Sequence, residues 1–182
     1  MDKIATILPQ LKVLIINEQL TNGIHSPLFR EEFAKLIDQY YHKVRFIFDG
    51  RNNLDSYKNV TLKINAQAAS MLALGDTKHL PQESGLAIME ARNEELVITD
   101  GENGSLVFQL DGTVTCIDAI KYDGPIDTVG AGDSFTAGFA YALASNATII
   151  EAPMLGTCCS SVTIRKLNQT GSPSYEEIMA IL

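Results

Sequence analysis

The sequence has no tryptophan, only three cysteines and three histidines, and 14 basic residues against 22 acidic ones. Cys116, Cys158 and Cys159 have no metal-ligand spacing, and an odd count builds no disulfide framework, so a reducing compartment is expected. The adjacent pair Cys158-Cys159 lies in a small-residue helical stretch, where packing is its expected role. His25, His42 and His79 share no spacing and default to the surface. A net charge of -8 argues against non-specific binding to nucleic acid or an anionic membrane. No apolar run approaches a membrane span, and Met1-Asp2-Lys3 lacks the basic region and apolar core of a signal peptide, so the expected location is the cytoplasm. Repeats, low-complexity tracts and linkers are also missing. What is present is an ordinary globular mixture, 46% hydrophobic and 20% charged, in a length that suits a single α/β domain over residues 1–182.

Taken in order, residues 11–16 form a short apolar run of the kind found in a strand buried on both faces. A loop through Asn22-Gly23 leads to Ser26-Pro27, an N-cap and first helical position. Phe29, Phe33, Leu36, Ile37 and Tyr40 then recur at helical spacing. Val44 to Phe48 reads as a strand, and the strand–helix–strand order is the repeating unit of a parallel sheet. Strands are expected at 60–64 and 95–99, with helices over 66–74 and from Pro81 through Met89 between them. Residues 104–110 and 113–117, separated by Asp111-Gly112, predict an antiparallel hairpin at the sheet edge. Helices are expected from Thr136 to Leu143 and from about Thr148 to Lys166. A last short helix begins at Ser174, where Ser and Glu177 have capping-box spacing.

The stretch Asp127-Thr128-Val129-Gly130-Ala131-Gly132-Asp133-Ser134-Phe135 carries the chemistry. Glycines before a helix let backbone N–H groups turn outward, and the helix's positive end favours anions. A carboxylate in that cradle would repel a phosphate unless it has a chemical task. The pairing therefore points to phosphoryl transfer, with backbone donors for the phosphoryl group and Asp133 for the attacking hydroxyl.

This stretch, with its small-residue helix, resembles the second signature of the PfkB, or ribokinase-like, carbohydrate kinases. Leu96 to Gly104 looks like the family's nucleotide-loop strand, and Ile164 to Gly171 like its C-terminal segment. The resemblance implies a ribokinase-like (Rossmann-like) α/β fold with a mostly parallel sheet. It covers only the family's C-terminal half, so the chain is truncated relative to the family. By this match Asp133 is the catalytic base, and Gly130, Ala131 and Gly132 form the anion hole. Thr99 and Gly101 match nucleotide-phosphate positions, Asn65 the first residue of the Asn-x-x-Glu motif and Gly104 the end of the nucleotide loop, all counted with Gly132 as nucleotide-binding; Thr157 or Gly156 matches the adenine position, where the family often has Asn. Asp127 and the Val129 carbonyl match a monovalent-cation (K+) site completed by carbonyls of the loop from Asn168 to Ser172; a plain turn cap at Asp127 is the equal alternative. The implied partners are ATP or ADP, Mg2+ and a sugar or sugar phosphate.

One departure is plain. The family's Asn-x-x-Glu motif, whose Glu helps place magnesium, reads Asn65-Ala66-Gln67-Ala68 here. Glu83 or Asp49 could supply the charge only if the fold brings one near; otherwise catalysis is weakened, or the nucleotide itself holds the magnesium. The family's sugar pocket comes largely from its N-terminal half, so the chain is expected to have low activity alone. An exposed apolar edge at 11–16 predicts a homo-oligomer or association with a separate half. The rival reading is a non-catalytic nucleotide-binding or regulatory relic of a sugar kinase.

Overall fold

The structure, a computed structural model, describes every residue except Thr21, Asn22 and Asn52, so the turn expected at Asn22 lies outside the described residues. Its helices are α1 (Asp2–Ile7), α2 (Pro27–Tyr40), α3 (Ala66–Leu74), α4 (Pro81–Arg92), α5 (Ala131–Ala144), α6 (Ala152–Thr163) and α7 (Tyr175–Met179). The strands are β1 (Val13–Glu18), β2 (Arg45–Gly50), β3 (Thr61–Asn65), β4 (Leu96–Thr99), β5 (Ser105–Phe108) and β6 (Val114–Ile117), and they lie in the sheet in chain order. β1 to β4 pair in parallel; β2 to β4 are apolar runs buried on both faces, whereas β1, at the sheet edge, leaves Ile15 and Asn17 exposed and is not the doubly buried strand expected. The five-residue connection after β5 turns at Gly112, whose φ of +84° and N–H bond to the Gln109 carbonyl make the Asp-Gly turn. The chain divides into two compact units, Met1–Thr99 with Leu106–Val114, and Asp100–Ser105 with Thr115–Leu182.

In the first unit, local chemistry starts and stops each helix. Ser26 accepts the Phe29 N–H and Pro27 follows it at the head of α2. Asn65 accepts the Ala68 N–H at 2.7 Å to cap α3, and Gly75 ends that helix at φ +81°. One expectation is corrected at the N-terminus. Residues 2–7 are helical, and a 3-10 turn over Leu8–Gln10 buries Leu8, so the first strand runs from Val13 to Glu18 instead of 11–16. Pro9 has no N–H to give a ladder, and Leu11 belongs to the turn, packing against the core instead of extending the strand.

The core of this unit is aromatic where α2 meets the sheet. The ring of Phe33 stands edge-on to Phe46 (6.4 Å) and Tyr57 (5.8 Å), and Tyr57 is edge-on to Phe48 at 5.0 Å. The segment before β3 is held by Arg92, whose buried guanidinium donates to the carbonyls of Leu54 (3.0 Å) and Tyr57 (2.6 Å) and pairs with Glu94 (2.6 Å) and Asp55 (3.1 Å). A buried cation so fully bonded is costly to disturb, because removing it leaves several acceptors without a donor.

In the second unit, α5 and α6 pack at small residues. A Cβ at Gly138 would lie 2.7 Å from the Cys159 sulfur and 2.9 Å from the Leu155 carbonyl; one at Gly156 would lie 2.9 Å from the Phe135 carbonyl. Both helices depart from expectation. α5 starts at Ala131, inside the glycine-rich stretch and not at Thr136. α6 spans 152–163, not 148–166: the reciprocal Thr148–Glu151 bonds (2.8 and 3.2 Å) cap a turn that leads into the helix, and Arg165 and Lys166 turn back to the Val162 and Thr163 carbonyls in tighter i to i−3 bonds that end it.

One outcome follows from the packing of each unit. Gly138→Ala must push α5 and α6 apart and should cost about 1–3 kcal/mol, read as a lower urea midpoint at unchanged slope. Burial, then the charge of Glu18, pushes the Tyr57 hydroxyl up to about 12. The unfolded chain ionises nearer 10, so the contribution of Tyr57 is complete below about pH 10 and is lost as pH rises toward about 12. The urea midpoint should fall over that window, and the fall should be smaller in Tyr57→Phe.

Candidate active site

Gly130 precedes α5 at φ +80°, a left-handed conformation that glycine enters without strain. The first i to i−4 bond of α5 joins the Ser134 N–H to the Gly130 carbonyl at 2.9 Å, so the amides of 131–133 lie ahead of the helical ladder. That of Ala131 donates back to the Thr128 carbonyl at 3.2 Å, a long bond. Gly132 and Asp133 stand exposed in the first turn of α5. Exposed amides and a carboxylate at a helix N-terminus can hold an oxyanion and take a proton from an incoming hydroxyl.

The loop after α6 is fastened to this turn. The Asp127 carboxylate accepts the Val129 N–H with one oxygen and the Asn168 N–H with the other, each at 3.0 Å, while the Asp127 N–H donates to the Ile164 carbonyl at 2.8 Å. Thr163, fully buried, brings its Oγ1 within 2.7 Å of the Ser134 hydroxyl and 3.0 Å of the Gly171 carbonyl. A carbonyl can only accept, so the Thr163 proton goes to Gly171 and the Ser134 hydroxyl donates to Thr163. Lys166 Nζ donates to the Ser172 carbonyl at 2.8 Å and pairs with Glu177 at 2.7 Å. Arg165 stacks its guanidinium 4.6 Å from the centre of the Tyr122 ring.

The first unit has its own polar edge. Asn65 and Thr99 are register partners at the carboxyl ends of β3 and β4, where open parallel sheets meet ligands. Beside Asn65 lies an open cleft of about 970 Å³, lined in part by Arg51, Asn53, Asp55, Gln67 and Ala68. Neither carboxylate suggested as a substitute for the motif's Glu is in that lining. Asp49 is paired with buried Lys63 at 3.1 Å, and Glu83 lies 3.7 Å from His79. Asp55 is there instead. Its carboxylate, 76% exposed and paired with buried Arg92, was not singled out from the sequence, since the fold and not the spacing brings residue 55 beside residue 68.

The other expected site residues fall as follows. Gly101 opens a 3-10 turn, and a Cβ there would meet nothing within 4 Å. Gly104 is a glycine for structural reasons, because a Cβ would fall 2.0 Å from the Ile117 carbonyl. Thr157 is buried in α6 and its carbonyl accepts the Ser160 hydroxyl, so it offers little surface to a base. Thr163 went unremarked in the sequence and Lys166 figured only as part of the C-terminal segment, because their contacts depend on a loop several residues further on.

A mixed sheet with a parallel core, flanked by helices and leading into a glycine turn at the head of α5, defines an α/β protein of ribokinase-like fold. The chain belongs to the pfkB family of carbohydrate kinases, which residues 25–175 match. It is 34% identical over 96 residues to the ribokinase of Lactococcus lactis subsp. lactis, an alignment covering 52% of this chain and 31% of that protein. The structure of Arabidopsis thaliana ribokinase, complexed with ribose and ATP, superposes with a TM-score of 0.80 at 19% identity, over 100% of this chain and 59% of that one. Phosphofructokinase-2 from Escherichia coli, in complex with potassium, gives a TM-score of 0.78 at 20% identity, over 99% of this chain and 60% of that one. The chain thus spans about a third of the curated relative and three-fifths of the solved chains. Among the described residues, no helix is long and apolar enough to cross a membrane.

The hydroxyl of Thr163 should matter more than its methyl. Thr163→Val leaves the Gly171 carbonyl and Ser134 without their partner and should cost about 1–3 kcal/mol in urea unfolding, while Thr163→Ser stays near the parent.

Proposed function

We propose that this chain carries the ATP site and the base of a carbohydrate kinase. In this reading a sugar or sugar-phosphate hydroxyl attacks the γ-phosphorus of ATP, the bond to the β-phosphate oxygen breaks, and the products are the phosphorylated sugar and ADP. Asp133 accepts the hydroxyl proton. The first-turn amides, Gly132 foremost, stabilise the equatorial phosphoryl oxygens, with Gly130 setting the turn and Ala131 the weaker donor. The observation that carries the reading is the glycine turn at φ +80° followed by exposed Gly132 and Asp133 at the start of α5. Asn65, Thr99 and Gly101 are assigned to the nucleotide phosphates. Magnesium would neutralise phosphate charge, held chiefly by the nucleotide, with Asp55 as the carboxylate of the Asn65 cleft. The cytoplasm, and a partner half or second copy along β1, belong to the same reading.

A second reading, nucleotide binding without catalysis, is favoured by one observation. Ala68 stands where the family has its magnesium-placing Glu, and its N–H does no more than complete the cap from Asn65.

Sugar-dependent ADP release, measured with a coupled assay over a panel of sugars and sugar phosphates, separates the two. The kinase reading expects release that Asp133→Asn lowers by about 10²–10⁴-fold, with the ADP-induced rise in Tm retained. A Tm rise with no release from the parent chain favours the second reading. Unchanged turnover in Asp133→Asn would remove Asp133 as the base.

A further inference from the structure

We propose that β1 pairs antiparallel with β1 of a second copy of this chain, across a twofold axis at Ile15, so that two sheets join edge to edge. The inference rests on the reading that leaves β1 open to a partner, commits that edge to one occupant, and does not depend on phosphoryl transfer.

β1 is the terminal strand of the sheet, with β2 alone beside it. The Arg45 N–H donates to the Lys12 carbonyl at 2.9 Å and the Arg51 N–H to the Glu18 carbonyl at 3.2 Å. Along a strand the backbone groups of alternate residues turn to opposite sides, so residues 12, 14, 16 and 18 face β2. Val13, Ile15 and Asn17 therefore turn their N–H and C=O groups to the open side. Of these groups, only the Asn17 carbonyl has a partner among the described residues, His25 Nε2 at 3.3 Å, and that oxygen keeps a second lone pair. Edge strands are commonly blunted by charge, proline or a bulge. This edge has none of them: its register with β2 is unbroken from Val13 to Glu18, and Val13, Ile15 and Asn17 are uncharged. Ile15, in the middle of the strand, is 39% exposed.

A second copy satisfies such an edge by symmetry. With the axis at Ile15, that residue lies opposite the partner's Ile15, and Val13 and Asn17 lie opposite the partner's Asn17 and Val13. Each opposed pair exchanges two main-chain hydrogen bonds, so the three pairs give six. An axis at Leu14 or Ile16 leaves two pairs and four bonds. The Ile15 register also sets two exposed isoleucines side by side on one face, an apolar cross-strand contact. The twofold closes the assembly at two chains through this edge, because each β1 consumes the other.

Sedimentation of the chain without nucleotide keeps failure here distinct from failure of the kinase reading. The apparent mass should rise from one chain toward two as concentration increases through roughly 5–200 µM. Over the same range the amides of Val13, Ile15 and Asn17 should exchange at least about tenfold more slowly, while those of Leu14, Ile16 and Glu18 stay unchanged. Ile15→Pro removes the central outward N–H and none that β2 uses, and Ile15→Lys sets two like charges across the axis. Both variants should sediment as single chains and lose the added protection at 13 and 17. Should Ile15→Pro fail to fold, Ile15→Lys decides, since it alters an exposed side chain and no backbone group. A parent that stays single over the range would overturn the proposal, as would a dimer that survives Ile15→Lys, or association that continues beyond two. Protection of the three odd-numbered amides in the single chain would overturn it too, by giving the edge to another segment of this protein.

Discussion

The close approach of α5 and α6 is the constraint on which the candidate active site depends. Gly138 and Gly156 leave no room for a Cβ, and the sulfur of Cys159 and the carbonyls of Leu155 and Phe135 fill the space instead. Only at that separation can the Ser134 hydroxyl on α5 reach Thr163 on α6 at 2.7 Å. Thr163 then donates its O–H to the Gly171 carbonyl, which ties the loop after α6 to the helix that carries Asp133. The small-residue composition of both helices thus has a chemical consequence. A wider helix pair built from larger side chains could be equally stable, yet it would break the hydroxyl link and leave the loop held by Asp127 and Lys166 alone.

Charge in this protein works at short range. The net charge of -8 is unfavourable, on a bulk view, for a chain proposed to bind ATP, but several of its charges are committed to named partners. Lys63 and Asp49 neutralise one another on adjacent parallel strands, and Arg92 fastens four groups across residues 54–94. Such pairs are poor sources of net stability, because desolvation offsets most of the attraction. Their effect is geometric. Arg92 sets where Asp55 stands in the cleft beside Asn65, and the Lys63 pair takes Asp49 out of contention as a replacement for the missing Glu.

Much of this was legible in the sequence wherever a local rule sufficed. α3 was expected over 66–74 and is found there, because the Asn65 cap and the glycine at 75 mark both ends. Pro81, the Ser174 capping box and the Asp-Gly turn were equally plain. The α1 helix was not. It is short, and it is explained only by Leu8 and the partners of Ile4 in the core. The start of α5 was read five residues late, since glycine and alanine there looked like loop when Gly130 alone supplies the turn. The contacts of Thr163, Lys166 and Asp55 went unforeseen for a common reason. Each acts on a group that the fold, not the spacing, brings to it.

The replacement of Glu by Ala at 68 bears on how a motif of this kind works. Asn-x-x-Glu has the spacing of an N-cap and the third helical position, at which a capping box forms. In this chain the Asn65 half is kept, accepting the Ala68 N–H at 2.7 Å, so α3 loses nothing at that bond when the Glu is gone. The helix start and the acidic function are therefore separable, and only the second is missing. A carboxylate from a different segment, Asp55, lines the same cleft. Its position rests on Arg92, however, and the guanidinium 3.1 Å away already claims part of its charge. On the proposed kinase reading, a carboxylate so shared would bind a divalent ion less strongly than an unpaired Glu, and the nucleotide phosphates would carry more of the burden of holding magnesium.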